Sequence, residues 1–136
     1  MPALIVERSE AGFTVQITVP YNPSMLDFEE TLQHTLNEAG TLATQEGLQQ
    51  FDTDGSPITV GATKLTTKGP VEKDYQTPYG VATVARHVYQ GPQGGPTYCP
   101  LDRDARIVVT STPRFAKILS HKYAEFSSPR AQVDLQ

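Results

Sequence analysis

The run TPYGVATVARHVYQGPQGGPTYCP, residues 77 to 100, constrains the fold more than any other segment. Val81 to Tyr89 is rich in β-branched and aromatic residues and lies between two chain reversals, Pro78-Tyr79-Gly80 before it and GPQGGP after it. A segment so bounded pairs with the chain that returns beside it, here TYCP, as an antiparallel hairpin. One face carries Val81, Thr83, Ala85 and His87, the other Ala82, Val84, Arg86 and Val88. Neither face is cleanly polar, so the hairpin should be packed on one side and partly covered on the other. With 11 prolines and 10 glycines in 136 residues, long helices should be few.

Upstream, ALIVER and FTVQITV flank SEAG, and the second run alternates strictly, which predicts an opening hairpin. After Pro20 and Pro23 the period becomes helical, with Leu26, Phe28, Leu32, Leu36, Ala39 and Ala43 recurring at three or four. Ser24 or Asp27 would cap this helix, and Asp27, Glu29 and Glu30 favour its N-terminus. Gly40 and Gly47 predict an end or bend near residue 40 and a second piece reaching about Phe51. FDTDGSPITV is a turn, Thr59 to Lys68 looks extended but irregular, and KGPVEKDYQTP reads as a polar connector. The fold class is therefore α+β: antiparallel hairpins, one main N-terminal helix and a helical tail. Residues 1–69 form the acidic hairpin-plus-helix region, 70–111 the second hairpin region, and 112–136 the start of a helical, DNA-binding-like region.

Chemical motifs are weak. Asp52, Asp54 and Gly55 lack the third acid and the glutamate that a calcium loop needs, so the turn is a plain Asp-Gly reversal. GPQGGP has two prolines without donors and no Gly-Lys-Ser/Thr, so it makes a poor phosphate cradle. Cys99 and His87 sit on strands the hairpin joins, but no orienting group or oxyanion site accompanies them; a buried thiol beside an ordinary histidine is the simpler reading. His34, His87 and His121 have no metal-ligand spacing. No catalytic residue, metal or cofactor is assigned. The single cysteine fits a reducing compartment, and the apolar run Ala3 to Val6 is too short for a signal peptide or a membrane span. A cytoplasmic protein without a membrane partner is expected.

The net charge of −4 hides an asymmetry. Residues 1–60 hold nine acids and one base, net −8, whereas residues 61–136 hold ten bases and six acids, net +4. Any nucleic-acid surface belongs to the second half, although two solvated faces of opposite sign would look the same. In the tail, Thr112-Pro113 is a helix start, a hydroxyl cap followed by proline at the first helical position. Phe115, Ile118 or Leu119, Tyr123 and Phe126 form an apolar stripe that leaves Arg114, Lys117 and Lys122 largely outside. Ser128-Pro129 repeats the start signal. Two helices joined by a short turn begin a helix-turn-helix, and they also begin plain helical hairpins; spacing does not separate the two.

The segments TPYG, RHVYQ, GG followed by CPLD, TPRFA and KYAEF, over roughly residues 70 to 135, resemble in order and spacing the region upstream of the catalytic domain in bacterial insertion-sequence transposases of the ISKra lineage. The resemblance extends more loosely to FDTDGSPI and the helix before it. It implies a DDE-type transposase, in which three carboxylates on a ribonuclease-H-like fold hold two divalent metals. That fold needs well over a hundred further residues, so no acidic triad carries over. The resemblance implies a non-catalytic N-terminal region, intact or truncated, that binds DNA or assembles with partners but does not cut. DNA contacts, mostly to phosphates, are expected from Arg86, Arg106, Arg114, Lys117, Lys122 and Arg130. The alternatives are a protein-interaction module, docking a basic partner or a second copy, and an inactive transposase remnant.

Overall fold

The structure, a computed structural model, describes residues 3–126. Strands β1 (Ala3–Arg8) and β2 (Phe13–Ile17) form the expected opening hairpin, with a bulge where the register shifts between Ile5 and Glu7. Helix α1 (Met25–Gln49) follows, capped by Ser24, whose Oγ accepts from the Asp27 amide at 3.3 Å. The expected end near Gly40 and the separate second piece are not there: α1 runs unbroken from Met25 to Gln49. Two weak helix formers are carried because α1 packs along β1, β2 and the fifth strand of the chain, and tertiary contact overrides propensity.

Gly40 serves that packing directly. A Cβ built on it would lie 2.3 Å from Cγ of Tyr79, so the ring at the tip of the second hairpin rests on the bare helix backbone. At an unencumbered helix site alanine is more stable than glycine by about 1 kcal/mol. At Gly40 the sign should reverse, and Gly40→Ala is expected to destabilise by about 1 to 2 kcal/mol as the ring is displaced. In a Tyr79→Ala background the same substitution should stabilise. Thermal denaturation of the four proteins of this cycle checks both signs.

Residues 59–68 are largely extended as expected, and the reading of residues 68–77 as a connector needs the largest correction. Ile58–Val60 is strand β3, and Thr63–Thr77, which includes the supposed connector, is the 15-residue strand β4. Pro70 lies at a bulge, where the register passes from Thr67 opposite Tyr89 to Pro70 opposite His87, a place where a residue without an amide hydrogen is tolerated. Val71, Lys73 and Tyr75 then share a face with their partners Arg86, Val84 and Ala82 on β5 (Gly80–Gly91). Pro78 and Tyr79 make the turn between the two strands, and Thr77 Oγ1 donates to the Gly80 carbonyl at 2.7 Å. Strand β6 (Gly94–Tyr98) returns after Pro92-Gln93, with Gly94 at φ 80° supplying the left-handed backbone of that reversal. The sheet order is β3-β4-β5-β6, all antiparallel.

The hairpin faces behave as expected. Ala82, Val84 and Arg86 are buried, and Val81 and Thr83 are exposed. Over the buried face lies a short helix not anticipated from sequence, α2 (Pro100–Asp104), with proline at its start. Leu101 and Ala105 pack with Tyr75, Val84 and Leu48 of α1 into one core, which Cys99 and Ile107 flank.

The part of β5 that β6 leaves unpaired is closed by non-strand groups. Since β6 pairs with β5 only at Tyr89 and Gly91, the rest of that edge is bare of strand partners. There Gln49 Nε2 donates to the Ala85 carbonyl at 3.2 Å, and Asp52 accepts from the His87 amide at 2.9 Å. Such capping removes a template for intermolecular strand pairing. Among the described residues, no helix is long and apolar enough to cross a membrane.

Candidate nucleic-acid interface

The basic tail leaves the sheet at a fixed point. Gln76 donates its amide to the Thr110 carbonyl at 2.7 Å and accepts from the Thr112 amide at 3.0 Å, so residues 110–112 form a one-residue parallel bridge on the outer edge of β4. Helix α3 (Pro113–Phe126) starts immediately after, where the sequence places it. Its first turn is closed by the Ala116 amide donating to the Thr112 carbonyl at 2.8 Å. The expected hydroxyl cap is not made: Thr112 Oγ1 is buried without a hydrogen-bond partner among the described residues.

On α3, Phe115, Ala116 and Leu119 are half-buried, whereas Arg114, Lys117, Ile118, His121 and Lys122 are exposed. These five side chains line a shallow groove of about 360 Å³. Residues 114, 117, 118, 121 and 122 stand at offsets of three and four, which gathers them on one side of the helix. Three of the six residues expected to contact DNA are thus brought together. Arg130 and the second helix start at Ser128-Pro129 lie outside the described residues.

Arg106 is exposed and serves a backbone role. It has φ 56° at the end of α2, where the Ile107 amide donates to the Asp102 carbonyl at 2.9 Å and its own amide to the Arg103 carbonyl at 3.1 Å. This is a Schellman end with arginine where glycine is commonest.

Arg86 has to be withdrawn from the set of phosphate-contacting residues. It is 8% exposed, its Nε donates to Tyr75 Oη at 3.0 Å and its Nη1 to the Val71 carbonyl at 3.0 Å. Tyr75 is fully buried and donates in turn to Asp102 Oδ1 at 2.5 Å, while Lys73 Nζ lies 3.4 Å from Asp102 Oδ2. Burial, reinforced by the bond to Asp102, pushes the Tyr75 hydroxyl well above its ordinary pKa, so it stays protonated and remains a donor. The chain of groups pins α2 to the sheet. Comparison with protein-family models, with curated proteins and with solved structures finds no match for this chain.

The remaining motifs have structural roles. His87 Nδ1 lies 2.9 Å from Asp52 Oδ2, so one carboxylate holds both the ring and the amide of that residue. Cys99 sits instead beside the core under α2, and burial raises its pKa, which keeps the thiol protonated and a poor nucleophile. Asp54 Oδ1 accepts from the Ser56 amide at 2.9 Å in the Asp-Gly turn, which holds its carboxyl below the usual range. Among the described residues, no three His, Cys, Asp or Glu side chains gather as metal ligands. Sequence reasoning missed Asp52, Tyr75 and Asp102. The signal for Tyr75 was the alternation Val71, Lys73, Tyr75, Thr77; the two aspartates had none, because the residues of the sheet they hold, Tyr75 and His87, lie 27 and 35 positions away.

Proposed function

We propose that this chain is a non-catalytic DNA-binding module acting in the cytoplasm, of the kind that precedes the catalytic domain in the insertion-sequence transposases it resembles. The observation that carries the reading is the exposed face of α3 bearing Arg114, Lys117 and Lys122. Phosphate contacts supply sequence-independent affinity, and cations at helical spacing on a helix anchored at its start to β4 suit them. The start of a helix-turn-helix remains part of the proposal.

Fluorescence anisotropy of labelled duplexes against salt tests this. Contacts from Arg106, Arg114, Lys117 and Lys122 give an expected log-log slope near −3.6, about 0.9 per neutralised phosphate. The double reversal Arg114→Glu, Lys117→Glu should weaken all duplexes alike and reduce the slope to about −1.8. An absence of duplex binding at low salt sinks the reading. In that event the assembly reading takes over, favoured by the exposed Leu4, Val6, Met25 and Leu26 on the acidic hairpin and helix. Sedimentation would then report a dimer.

A further inference from the structure

Ile118 is out of place on a purely electrostatic surface. It is 41% exposed, and among the residues lining its groove it is the one aliphatic side chain, with Arg114 four positions before it, Lys117 adjacent, His121 three after and Lys122 four after. The helix has its apolar stripe elsewhere, at the half-buried Phe115 and Leu119. A partner that suits this arrangement offers negative charge around an apolar spot.

Duplex DNA has that layout in its major groove. Phosphates line both rims, and on the floor the C5-methyl of thymine is the apolar group that side chains contact. The groove is about 12 Å wide and admits an α-helix, and 14 residues give α3 a length of about 21 Å. We propose that Ile118 packs on thymine methyl groups in the major groove while Arg114, Lys117 and Lys122 hold the flanking phosphates, which gives the module a preference for A·T-containing sites. The proposal rests on the DNA-binding reading and adds a base preference to it. An anionic bilayer, the other polyanion with an apolar layer, is disfavoured because Ile118, the one exposed aliphatic side chain of α3 among the described residues, buries too little to hold a helix at an interface.

The test uses the full chain and two duplexes of identical sequence, one carrying thymine and the other deoxyuridine, which differ only in the C5-methyl. One buried methyl should make the thymine duplex bind about threefold to fourfold more tightly. Ile118→Ala should lower affinity for the thymine duplex by a similar factor and abolish the difference, while Ile118→Val should keep it. Ile118 is exposed, so circular dichroism of the variants should match the parent. Equal affinity for both duplexes, with Arg114→Glu, Lys117→Glu still weakening them, overturns the methyl contact and leaves the DNA reading standing. No binding to either duplex at low salt overturns both. Tighter binding to phosphatidylserine vesicles than to the thymine duplex, lost in Ile118→Ala, also overturns the proposal and assigns the face to a membrane surface.

Discussion

Asp102→Ala is expected to destabilise the protein by about 2 to 3 kcal/mol, because it strands the buried Tyr75 hydroxyl through which the charge of Arg86 is answered and removes the partner of Lys73. Arg86 is satisfied by two neutral oxygens, and the negative charge of its environment reaches it through the Tyr75 hydroxyl from Asp102. The half-buried Lys73 leans on the same carboxylate. Urea unfolding should show a lower midpoint at an unchanged slope. Arg86→Met in the Asp102→Ala background should recover much of the loss, since an apolar replacement of a buried charge is often neutral or stabilising. A midpoint shift worth less than about 1 kcal/mol for Asp102→Ala would show that the guanidinium charge is solvated from elsewhere.

The second large effect is expected at the bare edge of β5. Asp52 is the acceptor for both the amide and the ring of His87, and its side chain is 6% exposed. Asp52→Ala strands these donors and should cost about 2 to 3 kcal/mol, while Asp52→Asn, which keeps one carbonyl acceptor, should cost less. The alanine variant also uncaps a strand edge and should aggregate at protein concentrations the parent tolerates. Denaturation midpoints with light scattering check both outcomes. An alanine variant as stable and as monodisperse as the parent would mean that the edge does not depend on this carboxylate.

How far the fold was legible depended on how local its determinants are. Periodicity and punctuation located the opening hairpin, the start of α1 at Ser24, the β5–β6 reversal and the start of α3, each written within a few residues. The interior of α1 was misjudged at Gly40, since the reason for that glycine is the ring of Tyr79, far along the chain. Strand β4 was hidden by Gly69-Pro70, which read as a break and is a bulge. At the candidate site the helical spacing of Arg114, Lys117 and Lys122 was readable, because one helix carries them. Arg86 was misread because charge alone implies exposure, and nothing nearby in sequence announces Tyr75 and Val71 as its acceptors.

The bridge between Gln76 and residues 110–112 also bears on how the molecule is made. Strands β4 and β5 close over a two-residue turn, so little chain entropy opposes their pairing once residue 91 has left the ribosome. Gln49 meets Ala85 across 36 positions, and docking of α1 waits for that hairpin. The outer edge of β4 at Gln76 stays open until residues 110–112, some thirty positions later, have been synthesised. During translation the nascent chain therefore passes through an interval in which an almost finished sheet shows an unpaired backbone, and the same few residues that end this interval give the basic helix its direction.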